Sequence, residues 1–205
     1  MPKPVLLPLD LEAVFADNKH DPETLITAFM PIFCKHVQAD RIYVQPRNPQ
    51  TRVCKVLRWR RDESIPWPAI PKQVVDEWFI EDNWEEEDPL WRAALHLKPS
   101  IYVEDLEKSA KEGILNLDFE SRYMFHTAFI HGHAHSPPLP PTGEPDEREK
   151  ERQFYGSVQP AVFDGPRIWS EEVRELVGRC LVRIAPVMKE VGEKAPARER
   201  FGERS

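Results

Sequence analysis

The sequence predicts an α+β fold built on a central antiparallel β-sheet, and three stretches carry that expectation. The run from Phe125 to His135 ends in His131-Gly132-His133-Ala134-His135 and alternates strictly. Strand side chains alternate faces, so Ala128, Ile130, Gly132 and Ala134 share one side while Phe129, His131, His133 and His135 share the other. Such a strand suits a central position, with helices against its small face and hydrogen-bonding groups over its imidazole face. The second stretch is a pair of β-rich runs around the turn Asn48-Pro49-Gln50-Thr51. The third is a long amphipathic helix near the C-terminus, matched by a shorter one near the N-terminus.

The elements follow in order. Residues 1–9 form a proline-rich leader. Asp21-Pro22-Glu23 is an N-cap followed by proline and an acid in the first turn, opening a helix with Leu25, Ile26, Phe29, Ile32, Phe33 and Val37 on one face. Pro31 inside it should kink the helix. A strand over residues 41–45 and a hairpin partner over 53–61 come next. Residues 66–125 lack long alternation and should hold short helices at 71–79, 88–97 and 115–123, with a short strand at 100–103. The histidine strand is joined to a last strand at 156–163 by a proline-rich, then charged insertion at 136–155 that can bury little apolar area. Ser170, Glu171 and Glu172 open the final helix, where Val173, Leu176, Val177, Cys180, Leu181, Ile184, Met188 and Val191 recur at three and four residues. Pro186 should kink it, and residues 193–205 form a charged tail expected to be disordered.

A chain of 205 residues with a net charge of −7 suits one domain and disfavours a nucleic-acid polyanion as main partner. Cys34, Cys54 and Cys180 are scattered through apolar or periodic segments, as expected of buried free thiols in a reducing compartment. No apolar run approaches the ~20 residues of a membrane span, so the expected location is cytoplasmic. The Arg58-Trp59-Arg60-Arg61 run is expected to be a surface balanced by the acids at 85–88, and the tryptophans of the first half to be core.

Taken together, Asp40-Arg41-Ile42-Tyr43-Val44, the following hairpin turn, Pro99-Ser100-Ile101-Tyr102-Val103-Glu104-Asp105, the histidine strand, and Gly156-Ser157-Val158 leading through Ile168-Trp169-Ser170 into the last helix resemble a GAF domain over residues 10–192. The turn at residues 47–52 looks most like the stand-alone single-domain GAF proteins of cyanobacteria. The resemblance implies N- and C-terminal helices on one sheet face and short helices and loops roofing the other over a ligand pocket. It implies a sensory or regulatory module that binds a small molecule or a protein partner, with homodimerisation through the terminal helices. Bilin-binding relatives attach the chromophore through a cysteine before the central strand; residues 98–125 contain none, so covalent bilin is not expected.

Within that frame His131 and His133 face the pocket, joined by Tyr43 and Gln45, which lie opposite Ile42 and Val44, by Ser157 and Gln159, which lie opposite Val158 and Val162, and by Phe129. These seven are the candidate ligand-binding residues, and no catalytic residue is assigned. His131 and His133 are also candidate metal ligands: strand residues two apart stand roughly 6.6 Å apart and can share an ion, whereas four apart, at about 13 Å, they cannot. A ligand-free assembly or interaction subunit is the alternative reading, and a metal-dependent or redox enzyme the third.

Overall fold

The computed structural model describes residues 6–16, 21–67, 77–123, 126–140 and 147–201. Helices α1 (Leu9–Ala16) and α2 (Pro22–Val37) lead into strands β1 (Arg41–Pro46), β2 (Val53–Lys55), β3 (Leu57–Arg60) and β4 (Trp78–Ile80). Short helices α3 (Trp84–Glu87) and α4 (Pro89–Leu95), strand β5 (Ile101–Val103), and helices α5 (Leu106–Lys111) and α6 (Leu117–Tyr123) follow. The chain closes with β6 (Ala128–Ser136), β7 (Gln153–Val162) and α7 (Glu171–Gly192). The main sheet has five strands in the order β3-β1-β7-β6-β5, every pair antiparallel; β2 and β4 form a separate two-stranded ribbon.

Local chemistry sets the helix ends. Asp21 accepts from the amides of Glu23 and Thr24 at the start of α2, Asp88 does the same for Leu90 and Trp91 in α4, and Ser170 accepts from Val173 in α7. The inward stripe of α7 from Leu176 to Val191 and that of α2 from Leu25 to Val37 close over Ile42, Val44, Ala128, Ile130, Ala134, Val158 and Val162. The small face of the histidine strand therefore lies under the terminal helices, as its alternation requires. On the other face Leu90, Leu115, Val103, Phe129 and Ala161 form one small cluster, and Trp91, Ala94 and Phe154 a second. No helix among the described residues is long and apolar enough to cross a membrane.

Several expectations need correction. The run at 53–61 is two strands: β3 pairs with β1, whereas β2 leaves for β4. The buried carboxylate of Glu81 gathers that corner, 2.8 Å from Arg47 Nε and 3.2 Å from Arg52 Nε, with Cys54 Sγ at 3.4 Å. The helix expected at 71–79 falls partly outside the described residues, and at 78–80 the chain is strand, as suits Trp-Phe-Ile. Helices α1, α3 and α5 have no counterpart in the sequence reading. Nor are residues 193–201 a disordered tail: Arg198 reaches Asp82 at 3.0 Å, and Phe201 packs against the main core. In the insertion, Arg152 folds back to donate to the carbonyls of Pro137 and Pro138 at 3.0 and 2.9 Å. The three cysteines are free and buried.

Candidate ligand site on the roofed face

The sheet register brings the predicted residues together on one face. Tyr43 stands opposite Gln159, and Gln45 opposite Ser157, which in turn stands opposite His133. His131 faces Ile101 on the edge strand, and Phe129 lies in the row of Ala161 and Arg41. All seven are buried. Phe129 is part of the roof packing, its ring 4.3 Å from that of His126. Gln159 Nε2 donates to Ser157 Oγ at 2.9 Å.

The histidines form a directed chain. His133 Nδ1 lies 2.7 Å from the carbonyl oxygen of Lys98, which can only accept, so this nitrogen carries the proton and donates. Burial holds His133 at about 4 and His131 well below the ordinary imidazole range, so both rings are neutral at pH 7. His133 Nε2 is then an acceptor, and His131 Nδ1–H donates to it at 2.8 Å. The lone pair of His133 Nε2 is thus spent inside the pair, and of the two rings only His131 Nε2 keeps one. Among the described residues no group of three histidine, cysteine, aspartate or glutamate side chains could hold a metal ion. His135, held at about 4 chiefly by burial, lies 3.4 Å from the Ala94 carbonyl. His133 and His135 also border an open groove of about 270 Å³ between Ser100, Leu139 and the Leu181 edge of α7.

Sequence reasoning missed the other half of this face. Arg41 shares the alternation phase of Tyr43 and Gln45, and its side chain is wholly buried. Its Nη1 donates to the Pro66 carbonyl at 2.6 Å, while Nε and Nη2 have no partner. The Tyr43 hydroxyl, Gln45 Nε2, Trp91 Nε1 and both ring nitrogens of His126 are also buried without a partner. Burial, and then the Arg41 charge, push His126 down to about 3. Glu120 Oε2 lies 3.7 Å from His126 Nε2 without a hydrogen bond. Burial, and then the neighbouring Asp88, raise Glu120 well above the carboxylate range, a shift that works against an ion pair here, as does the lowering of His126. Asp88 itself is pushed up to about 6, chiefly by burial. The parity of Arg41 was the one available signal: His126 falls in the alternating run but on the parity of Ala128 and Ile130, and Glu120 lies in a segment without periodicity.

On the neighbouring strand β3, where Arg60 stands opposite Arg41 and Arg58 opposite Tyr43, the two guanidiniums each lie 4.7 Å from the centre of the Trp67 ring. Arg61 pairs with Asp40 and Asp62 at 2.7 and 3.2 Å. Of the acids at 85–88, Glu85 contacts His96 and Asp88 caps α4.

Solved structures with this arrangement of strands and helices include the GAF domain of an Acinetobacter phosphoenolpyruvate-protein phosphotransferase, at 7% identity and TM-score 0.58, covering 91% of this chain and 95% of that one. The blue-light-absorbing form of the PixJ GAF domain from Thermosynechococcus elongatus aligns at 13% identity and TM-score 0.54, over 91% of both chains. A far-red-absorbing dark state with bound biliverdin IXa aligns at 10% identity and TM-score 0.58, over 90% of this chain and 99% of the other. The fold is that of a GAF domain. No family model and no curated protein matches the sequence. At these identities the likeness extends to the fold, and the GAF frame assigns the terminal helices to one sheet face and helices α4 to α6 to the other.

Proposed function

We propose that this GAF-fold chain is a non-enzymatic sensory or regulatory module that holds a small molecule between the sheet and its roof, without covalent attachment. The observation that carries this reading is the set of buried polar atoms on the roofed face that have no partner: Arg41, Tyr43, Gln45, Trp91 and His126. Buried polar groups are ordinarily satisfied, and each one left alone costs on the order of 1–3 kcal/mol, so a cluster on one face calls for a ligand. His131, His133, Ser157, Gln159 and Phe129 complete the lining. Bilin-carrying GAF domains among the structural neighbours support an organic occupant of this region. Burial raises the thiols of Cys34, Cys54 and Cys180, which disfavours nucleophilic or redox chemistry and suits structural thiols in the cytosol.

Native mass spectrometry of the freshly purified protein, before and after mild denaturation, tests the reading. A releasable organic mass is the expected result. A chain of bare mass would favour the second reading, an assembly or interaction subunit, for which the exposed Leu6, Leu9 and Val182 are the specific observation. Leu6 and Leu9 border α7, because Arg179 donates to the Leu6 carbonyl at 3.2 Å and Arg183 pairs with Glu12 at 3.0 Å. A second copy docking through α1 and α7 would cover them.

A further inference from the structure

The two ends of β1 carry buried arginines with opposite circumstances. At the far end, Arg47 presents Nε and Nη2 to Glu81, at 2.8 and 2.6 Å from Oε1. These two nitrogens form the side-on edge of the guanidinium; in Arg47 they converge on one carboxylate oxygen, Oε1, and the same edge is able to take both oxygens of a carboxylate through parallel N–H bonds. At the near end the same edge of Arg41 is unpaired: Nη1 is used by the Pro66 carbonyl, Nε and Nη2 have no hydrogen-bond partner, and no carboxylate among the described residues pairs with the group. The side chain is fully buried, with its Cζ 4.8 Å from the Tyr43 ring centre and 4.7 Å from that of Phe163. A buried cation is costly unless it is paired, and aromatic faces return only part of that cost. The Tyr43 hydroxyl and the His126 ring, both partnerless, lie on the same side of the sheet, and Arg58 and Arg60 add positive charge at the approach.

We infer that the small molecule bound by this face is a carboxylic acid, and that its carboxylate takes the Nε/Nη2 edge of Arg41 as Glu81 takes that of Arg47. The inference rests on the ligand-binding reading above and narrows its ligand class. A phosphate would be met by a cluster of donors around three oxygens, whereas the vacant group here is one planar two-donor edge bordered by aromatic rings, which fits a planar carboxylate.

The test is NMR of the full chain labelled at its arginine nitrogens, titrated separately with sodium benzoate, sodium succinate and inorganic phosphate, against sodium chloride at matched ionic strength. The Nε–H resonance of Arg41 is assigned by its loss in Arg41→Lys, or, if that variant does not fold, by cross-peaks to the ring protons of Tyr43 and Phe163. The expected result is a saturable shift of this resonance with a carboxylate and none with chloride. In Arg41→Lys, which keeps the charge but not the edge, the carboxylate-induced rise in melting temperature should be lost. No saturable shift with either acid, or an equal shift with chloride, overturns the inference, as does tighter binding of phosphate. A neutral co-purifying molecule held equally by wild type and Arg41→Lys would also overturn it while leaving the ligand-binding reading intact. If the protein purifies bare but benzoate or succinate moves Arg41, the inference stands and the missing ligand was lost in purification.

Discussion

Burial keeps His131 and His133 neutral, and that has a pH consequence. His126, His133 and His135 sit at about 3, 4 and 4, and His131 well below its ordinary value of 6.5, all chiefly through burial. Between about pH 6.5 and 4 the unfolded chain protonates these rings while the folded one does not, so stability is lost as pH falls through that window. Asp88, raised to about 6, and Glu120, also raised, act oppositely, since the folded state keeps protons that the unfolded state gives up. Four rings against two carboxyls leave about two protons taken up on unfolding, or roughly 2–3 kcal/mol per pH unit near pH 5. Stabilities from urea denaturation at pH 6, 5.5 and 5 should fall at about that slope; a flat profile would mean the rings are solvated. His133→Ala removes the donor to Lys98 and the acceptor for His131 Nδ1, and should cost about 2–4 kcal/mol by urea denaturation. Arg41→Met should have the opposite sign in ligand-free protein, raising stability by about 1–3 kcal/mol, because it replaces an unpaired buried cation by an apolar chain of similar length.

Among the elements, β6 was legible because its alternation is forced by the pleat, and α2, α4 and α7 because Asp21, Asp88 and Ser170 announce their first turns. The split of β2 from β3 was not legible: it depends on Glu81, which lies far along the chain and gathers Arg47, Arg52 and Cys54. Arg41 belongs to the same class of miss, since its strand was readable but the absence of any carboxylate beside it is a property of the assembled sheet. The pairing of β1 with β7 has its own local requirement at Gly156. Its φ of +133° is open only to glycine, and a Cβ there would stand 1.9 Å from the Gln45 carbonyl oxygen. Gly156→Ala must therefore shift the β1–β7 ladder next to Gln45 and Ser157. A loss of at least about 3 kcal/mol is expected, read as a lowered denaturation midpoint with the proposed ligand weakened as well.

At the scale of the molecule the sheet divides two unequal cores. The terminal-helix side is one continuous cluster running from Leu11 through Phe29, Ile42 and Ile130 to Ile184 and Val191. The roof side is two small clusters joined by short helices, the longest of which, α4 and α6, have seven residues each, and it encloses polar groups that lack partners. Elements with few buried apolar contacts open with less free energy than those of the main core. The roof should therefore open as a unit while α2, α7 and the β1–β7–β6 ladder stay closed, which gives a buried ligand face a way to admit its occupant without global unfolding. In native-state hydrogen exchange followed by mass spectrometry, peptides covering residues 84–123 should exchange at least roughly ten-fold faster than those covering residues 171–192. An occupant bridging sheet and roof, by mass action, should slow the roof peptides selectively. Equal protection of the two sides would mean that the roof and the helical core unfold together, and entry to the Arg41 edge would then have to run over the side of the sheet past Arg58 and Trp67.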